Sequence, residues 1–229
     1  MKARPFVTAN FAMTWDGRVS TRRFTPTNFT SKRDKHRLLE IRATADAVLV
    51  GVSTIVADNM AMGMPDETLR AARVKRGQSP FPLRVLASNS GRIPKNLRIF
   101  ATGPAPIVIF STTQMAPATR TRLARLADLW LYEGPRVDLA AMLATLRADY
   151  GVRRVVCEGG PRLFRALFEE RLIDEIHLTL APHIFGGTGA PTLTGVAGKF
   201  LSQSTLCTLR SMEVINGECF LRYRVKSGS

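Results

Sequence analysis

The chain has 229 residues, of which 45% are hydrophobic and 7% aromatic, a composition typical of soluble globular proteins and unlike that of disordered or fibrous chains. Its 33 basic and 18 acidic residues give a formal net charge of +15, which favours anionic partners such as phosphorylated small molecules or nucleic acid. The basic residues are scattered, and no apolar run approaches the roughly 20 residues that span a bilayer, so we expect neither nucleic acid nor a membrane as a partner.

The N-terminus, Met1–Pro5, leads directly into a strand-like segment without the apolar core or cleavage site of a signal peptide, so we expect a cytoplasmic protein. The cysteines and histidines lie far apart, without the close pairs that bind metals. We therefore expect reduced thiols and no metal. No linker, repeat or low-complexity segment interrupts the chain, which predicts a single domain over residues 1–229.

The chain is predicted to begin with a strand, a turn and a helix. Apolar residues alternate along Phe6–Met13, which indicates a strand. The pair Asp16-Gly17 that follows is a strong turn signal. After a polar loop, Ser31 is the expected N-cap of a helix, and Asp34, three residues on, gives an approximate capping box.

A second predicted strand ends in a polar cluster. Asp46–Val52 is nearly all apolar, as a strand buried on both faces would be. The cluster Ser53–Asn59 follows it, and the carboxyl ends of strands are where open α/β sheets bind ligands. Ser53 or Thr54 is also suited to cap a short helix, and the two interpretations are compatible.

Strands and helices alternate through the middle of the chain, which is the pattern of a parallel sheet. The predicted elements are an exposed basic helix at Pro65–Arg76, a strand at Pro82–Ala87, a strand at Ile107–Phe110, a basic helix at Met115–Ala127, a strand at Leu129–Tyr132 and a helix at Leu139–Arg147. The loop Ser88–Pro94 contains hydroxyls, a glycine and an arginine just past a strand. It is suited to hold a phosphate, although a plain polar turn has the same sequence pattern.

The most informative stretch is Val155–Pro161, where a short apolar strand ends in a glutamate, two glycines and a proline. Apolar residues then recur at helical spacing from Leu163 to Leu172. A strand, a glycine turn and a helix N-terminus together form an anion-binding cradle, and Glu158 would stand at the strand's carboxyl end. We interpret the stretch as a cofactor-phosphate site beside a functional carboxylate; a tight strand-to-helix turn is the alternative.

The C-terminal part is predicted to contain antiparallel strands. Glu175–Ala181 reads as a strand and is followed by a loop rich in small residues. Two closing segments, Thr205–Ile215 and Cys219–Val225, are joined at Asn216-Gly217, the strongest hairpin signal in the chain. The predicted fold is therefore α/β, with a central, mostly parallel sheet flanked by helices and an antiparallel C-terminal hairpin.

Four stretches, in this order, carry a family resemblance: Met13–Arg18, Ala45–Gly51 running on to Asp58-Asn59, Val155–Leu163, and Asp174–Gly187. They resemble the reductase of riboflavin biosynthesis, a family with a dihydrofolate-reductase-like fold that is often fused behind a deaminase. The resemblance covers essentially the whole chain. It implies an NADPH-dependent oxidoreductase that reduces the ribose of a 5-amino-6-(5-phosphoribosylamino)uracil-type riboflavin precursor to the ribityl form, with hydride delivered to C1′.

The same resemblance implies which residues contact the ligands. Cofactor contacts fall on Ala12, Thr54, Asp58 and Ser88, and on the turn formed by Gly159, Gly160, Pro161, Arg162 and Leu163. Substrate contacts fall on Arg42, Met62 and Glu158. Glu158 is the expected catalytic residue, either orienting substrate hydroxyls or acting as acid or base. The basic character of the chain fits the phosphates that both ligands carry.

The sequence departs from the family at two substrate positions, because the family's substrate-binding arginine falls on Pro65 and a loop serine falls at Pro26. Arg22, Arg23 and Thr27 are candidates to replace the missing phosphate contacts. A second hypothesis is therefore the same fold and cofactor with a different substrate, such as a non-phosphorylated one. A third is a basic nucleic-acid-binding domain without catalysis.

Two further expectations concern partners. The chain lacks the His-x-Glu and Pro-Cys-x-x-Cys motifs of the deaminase half, so we expect no deaminase domain. The alternating apolar residues of the C-terminal hairpin suggest a homodimer formed along its strands, as the family resemblance implies.

Overall fold

The computed structural model describes residues 3–20, 29–187, 189–195, 201 and 203–226. These residues form two compact units. The first unit comprises the residues before Phe6 together with Leu39–Val156, and the second comprises Phe6–Leu38 and the residues from Cys157 on. The single domain expected over residues 1–229 stays a prediction. The candidate positions Arg22, Arg23, Pro26 and Thr27 lie outside the described residues.

The described residues contain nine strands and seven helices. The strands are β1 (Phe6–Thr14), β2 (Ala47–Gly51), β3 (Leu83–Ser88), β4 (Ile107–Thr112), β5 (Asp128–Tyr132), β6 (Arg154–Cys157), β7 (Glu175–Ala181), β8 (Cys207–Ile215) and β9 (Glu218–Val225). The helices are α1 (Lys32–Thr44), α2 (Val52–Asp58), α3 (Glu67–Lys75), α4 (Arg98–Ala101), α5 (Pro117–Leu123), α6 (Leu139–Asp149) and α7 (Pro161–Glu169). No helix of the described part is long and apolar enough to cross a membrane.

The sheet of the first unit contains parallel strands in the order β5-β4-β3-β2, with β6 next to β2. β2 and β4 are almost entirely buried, as the uninterrupted apolar sequence of β2 predicts for a strand covered on both faces. Side chains from the strands and from the helices and loops beside them form one core, which includes Val48, Val50, Ile55, Ile99 and Ile109. Each such side chain contributes about 1.5–3 kcal/mol on burial.

Helix α3 is exposed over most of its length, as predicted, but its Arg73 is buried, as is Arg84 of β3. Arg73 is only 1% exposed, and its guanidinium donates to the carbonyls of Ala43 at 3.1 Å and Ser79 at 2.8 Å. Arg84 donates to the carbonyl of Thr102 at 2.6 Å. Carbonyls at helix ends lack partners within the helix. Arg73 supplies hydrogen-bond donors to the end of α1, and Arg84 supplies them to the end of α4.

The second unit contains β1 and β7 as a parallel pair, followed by β9 and β8 in antiparallel pairing. The hairpin between β8 and β9 turns at Asn216 and Gly217, whose φ angles are 51° and 83°. Two successive positive φ angles define the type I′ turn that the Asn-Gly pair predicts. Together, these pairings confirm the predicted α/β class with mostly parallel strands and an antiparallel C-terminal hairpin.

The start of α1 confirms one predicted contact and corrects another. The Ser31 hydroxyl accepts the amide N–H of Asp34 at 3.2 Å, so Ser31 is the N-cap. The capping box is incomplete, because Asp34 instead accepts the hydroxyl of Thr179 at 2.6 Å. The amide of Ser31 donates to the Glu218 carboxylate at 2.7 Å, which supplies the acceptor that the box would have provided.

Three other elements differ from prediction. Ser53 and Thr54 lie within the first turn of α2, whose N-cap is Gly51, so neither residue caps the helix. α5 is shorter than the predicted Met115–Ala127. α4 was not predicted at all, because a single turn of helix is too short to show a hydrophobic period.

Candidate active site

Helix α2 of the first unit begins directly after β2 and has no side-chain cap. By contrast, α3 and α6 are capped by Asp66 and Asp138, whose carboxylates accept backbone N–H groups of the first turn. α4 and α5 also lack caps, so this feature alone is not diagnostic. The predicted cofactor residue Thr54 is half-buried in the first turn of α2, where uncapped N–H groups and the helix dipole favour an anion.

The end of α2 carries the predicted cofactor residue Asp58, which is solvent-accessible. Desolvation by the surrounding protein nevertheless raises the pKa of its carboxyl group. Asn59 closes the helix in the left-handed conformation, and its side-chain oxygen accepts the amide of Arg98 at 3.0 Å. These contacts fix the backbone beside Asp58 and leave the carboxylate itself accessible to a ligand.

The loop after β3 is rigid and presents a basic side chain. The predicted cofactor residue Ser88 is buried, and its hydroxyl accepts the amide of Gly91 at 3.1 Å. Gly91 has φ +62°, and an added Cβ would lie 2.7 Å from the side chain of Met115, so only glycine fits there. Arg92 and Ser90, by contrast, are exposed. They are better placed than Ser88 to contact a charged ligand.

The two predicted substrate residues of the first unit meet at the loop that follows α2. Arg42 is buried and donates to the carbonyl of Gly63 at 2.9 Å. Met62 is buried with φ +53°. Pro65, which occupies the family's arginine position, is exposed, and its carbonyl accepts the Arg70 guanidinium at 2.7 Å. Arg42 and Arg70 therefore hold this loop by its backbone.

In the second unit, the turn between β6 and α7 has the form predicted for an anion cradle. Gly159 has φ +116°, a conformation that essentially only glycine adopts. Gly160 is the N-cap of α7 and has no side-chain cap, and Pro161 occupies the first turn. The peptide bond between Gly159 and Gly160 is cis. Pro161 has no N–H, and the amides of Leu163 and Phe164 donate to the carbonyl of Gly160 at 2.9 and 3.0 Å. Among the described residues, the amide of Arg162 is therefore the first-turn N–H that can bind a ligand.

The side chains around this turn differ in exposure. Glu158 and Leu163 are half-buried, and Arg162 is exposed at the start of α7. Cys157 is buried, and desolvation raises the pKa of its thiol to about 12, so it is not a nucleophile at neutral pH. Ala12, the predicted cofactor residue on β1, is half-buried and pairs with Thr179 of β7.

The turn after β1 contains a carboxylate, Asp16, for which the sequence pattern indicated no role beyond the turn. Asp16 accepts the amides of Phe185 at 3.2 Å and Gly186 at 2.7 Å, and the hydroxyl of Thr14. The Thr14 hydrogen bond, together with these backbone bonds, lowers the pKa of Asp16 to about 2. The Asp-Gly pair predicted the turn, but no local pattern could predict hydrogen bonds to residues about 170 positions later.

Of the histidines of the second unit, His183 accepts the amide of Trp15 in this turn through its backbone carbonyl, and His177 lies within β7. His177 Nε2 is 2.9 Å from the Glu175 carboxylate, and its Nδ1 is buried without a hydrogen-bond partner among the described residues. Desolvation lowers the pKa of His177, so the ring is neutral at pH 7. No group of three or more potential metal ligands lies within the described part of the chain.

The architecture is that of the dihydrofolate-reductase-like proteins. A pyrimidine reductase-like protein from Corynebacterium diphtheriae has the same fold, with a TM-score of 0.79 at 21% identity over 98% of this chain and 93% of that one. A dihydrofolate reductase from Enterococcus faecalis, complexed with NADP(H), gives a TM-score of 0.50 at 11% identity over 97% of each chain. These likenesses confirm the predicted fold.

Residues 5–220 match the model of the RibD C-terminal domain, and the chain therefore belongs to that family. A relative from Archaeoglobus fulgidus is 32% identical over 83% of this chain and 86% of its own length. One from Methanothermobacter thermautotrophicus is 30% identical over 97% of this chain and 99% of its own. Both are named 2,5-diamino-6-ribosylamino-4(3H)-pyrimidinone 5′-phosphate reductase. The family identified from the four motifs, and with it the enzyme class, is confirmed.

Proposed function

We propose that this protein is an NADPH-dependent reductase that converts the ribose of a phosphorylated ribosylamino-pyrimidine to the open ribityl chain. The observation that carries the proposal is the 30% identity to a named reductase over 97% of this chain. The test is to mix the purified protein with NADPH and the pyrimidine and to follow the loss of NADPH absorbance. Turnover that requires both compounds supports the proposal, and its absence contradicts it.

The names of the relatives support a choice between two bases for the substrate. The sequence-based expectation was the uracil form, whereas the two relatives are named for the 2,5-diamino-pyrimidinone form. We therefore propose the 2,5-diamino compound as the preferred substrate. Comparing kcat/KM for the two bases tests this point separately from the activity itself, because a preference for the uracil form would overturn only the choice of base.

The residues present fit a nicotinamide cofactor with several phosphates. When bound, NADPH supplies the hydride that reduces the sugar. In the second unit, the amide and the exposed guanidinium of Arg162 at the start of α7 would bind phosphate oxygens. In the first unit, Thr54 at the start of α2 and Asp58 at its end are further contacts.

We propose that the protein prefers NADPH to NADH and that the loop after β3 is responsible. Arg92 and Ser90 are exposed on a turn whose backbone is fixed by Ser88 and Gly91, and an arginine binds a 2′-phosphate well. Arg92→Ala is expected to raise KM for NADPH and to leave KM for NADH unchanged. Arg153→Ala, which removes an exposed arginine of the same unit just before the amino end of β6, is the matched control.

Glu158 is the proposed catalytic residue. It lies immediately after β6 and before the glycine turn, and its side chain is half-buried. A carboxylate there would either orient the hydroxyls of the opened sugar or exchange a proton with it. Arg42 and Met62 are proposed to act on the substrate. The bond from Arg42 to Gly63 supports a role in holding the loop that carries Met62.

One observation favours a second candidate, a related reductase with a different substrate. Pro65 is exposed and supplies no charge where the family has an arginine, so a phosphate contact is missing from that position. The phosphorylated and dephosphorylated pyrimidines should therefore be compared. A higher kcat/KM for the dephosphorylated compound would support the second candidate, and the reverse would support the first.

We also propose that the protein is a cytoplasmic homodimer. Met212 and Val214 on β8 are 63% and 60% exposed, and β8 is the edge strand of the second unit's sheet. Exposed apolar strand edges tend to pair with another chain. Light scattering should give twice the chain mass, and Met212→Glu combined with Val214→Lys should give a monomer.

A further inference from the structure

The turn after β1 and the loop after β7 lie at the same end of a parallel pair of strands. Thr14, the last residue of β1, is in register with Ala181, the last residue of β7. The carboxyl ends of parallel strands are where α/β sheets bind ligands. Both loops belong to the stretches that carry the family resemblance.

Several hydrogen bonds tie the two loops together. The carboxylate of Asp16 accepts the amides of Phe185 and Gly186. The amide of Trp15 donates to the carbonyl of His183 at 2.9 Å. Further along, the amide of Val19 donates to the carbonyl of Pro191 at 3.0 Å. The loop after β7 is therefore held in one position by the turn after β1, with Asp16 as its main anchor.

The anchored loops expose large apolar side chains. Trp15 is 67% exposed, Ile184 is 77% exposed and Phe185 is 37% exposed; we call these three residues the apolar lip. Phe185 is supported from one side by Phe29, whose ring lies edge-on at a centroid distance of 5.4 Å. Exposed apolar residues that are clustered and rigidly held are characteristic of ligand-binding surfaces.

We infer that the apolar lip binds the pyrimidine base of the substrate, and that Asp16 is a positioning residue that holds the lip in shape. The inference rests on the proposed function, since the relatives are named for a pyrimidinone substrate. A base stacks on aromatic side chains through its π face. The adenine of NADPH offers such a face as well, and the pyrimidinone for which the relatives are named is the reason to choose the pyrimidine as occupant.

The test uses Trp15→Ala and the 2,5-diamino-6-ribosylamino-pyrimidinone 5′-phosphate. Stacking of one base on one aromatic side chain corresponds to about a 5- to 150-fold change in affinity. KM for the pyrimidine should rise by that factor, with KM for NADPH unchanged at saturating pyrimidine. Because Trp15 is exposed, the variant should unfold at the wild-type temperature. Trp130→Ala, which removes the chain's other tryptophan, from β5, is the control and should leave both constants unchanged.

Asp16→Asn tests the positioning role in two independent ways. It should raise KM for the pyrimidine in the same direction as Trp15→Ala. It should also speed hydrogen exchange at the amides of Phe185 and Gly186, which are exposed residues protected by their bonds to Asp16. Unchanged exchange together with unchanged KM would contradict the role of Asp16.

A direct binding measurement separates the possible occupants. In a Trp130→Phe background, Trp15 is the only tryptophan, so its fluorescence reports on the lip. Quenching by the pyrimidine alone supports the inference. Quenching by NADP⁺ alone overturns the inference. So does a Trp15→Ala variant that changes only the KM for NADPH, or only the oligomeric state.

If the wild-type enzyme turns over and Trp15→Ala has the wild-type KM for the pyrimidine, the inference about the apolar lip fails and the proposed function stands. If the wild type shows no turnover, the proposed function fails first.

Discussion

Replacing Gly159 by alanine tests the turn that precedes α7. Gly159 has φ +116°, and an added Cβ would lie 3.5 Å from the ring of Phe164, which is ordinary van der Waals contact. The cost of the substitution therefore comes from the backbone and not from a clash. Holding a residue other than glycine in this region costs about 1–3 kcal/mol.

That cost must appear in one of two measurable quantities. If the turn keeps its shape, the free energy of unfolding falls by about 1–3 kcal/mol, and the melting temperature falls by about 2–12 °C for a chain of this length. If the turn relaxes, the amide of Arg162 moves, and NADPH binds about 5- to 150-fold more weakly. Thermal unfolding and a fluorescence titration with NADPH measure the two effects.

Gly134→Ala is the matched control. Gly134 also has a positive φ, +90°, and an added Cβ would meet nothing within 4 Å. Its substitution should lower the melting temperature without changing NADPH affinity. A Gly159→Ala variant that matches the wild type in both quantities would refute the argument, because the positive φ would then carry no cost. A loss of NADPH affinity with Gly159→Ala alone would support assigning the turn to the cofactor.

Three other predictions concern titratable groups of the second unit. Glu158→Gln should leave NADPH affinity nearly intact and lower kcat, by about 10²- to 10⁴-fold if Glu158 is an acid or base; an unchanged kcat would remove it from the mechanism. Cys157, with its pKa raised to about 12, should resist alkylation at pH 8 in the folded protein and react in denaturant; rapid labelling of the folded enzyme would contradict its burial. Burial lowers the pKa of His177 below 6.5, so the unfolded state binds more protons than the folded state. The free energy of unfolding should therefore decline as pH falls below about 6.5. His177→Gln should flatten this decline, and an equally steep curve for the variant would show that other groups cause it.

The local features of the fold were predictable because they depend on neighbouring residues. The Asn216-Gly217 pair determines its own turn, and the apolar run of β2 is sufficient to indicate a strand buried on both faces. The Ser31 cap likewise needs only the N–H of Asp34, three residues on. Where the interaction is local, the pattern in the sequence and the contact in the structure are nearly the same observation.

The features that escaped prediction depend on distant partners. Arg73 looks like any solvent-exposed arginine on a basic helix, and only the folded chain shows it among the carbonyls that end α1. Asp16 is a turn residue in the sequence, and its bonds to Phe185 and Gly186 appear only once β1 and β7 are paired. Of the candidate site, the glycine turn, Glu158 and the loop Ser88–Pro94 with its Arg92 were found from local pattern, whereas the apolar lip required the structure.

The contact between Ser31 and Glu218 constrains the order in which the chain acquires its structure during synthesis. Ser31 begins α1, but its amide bonds to a carboxylate 187 positions later. Most of the first unit, Leu39–Val156, leaves the ribosome as one uninterrupted segment, whereas the second unit needs Phe6–Leu38 and the residues from Cys157 on. Most of the first unit is therefore synthesised before any residue from Cys157 on. The second unit completes its hydrogen bonds only after β9 has been synthesised. β1 is therefore synthesised long before its partner β7.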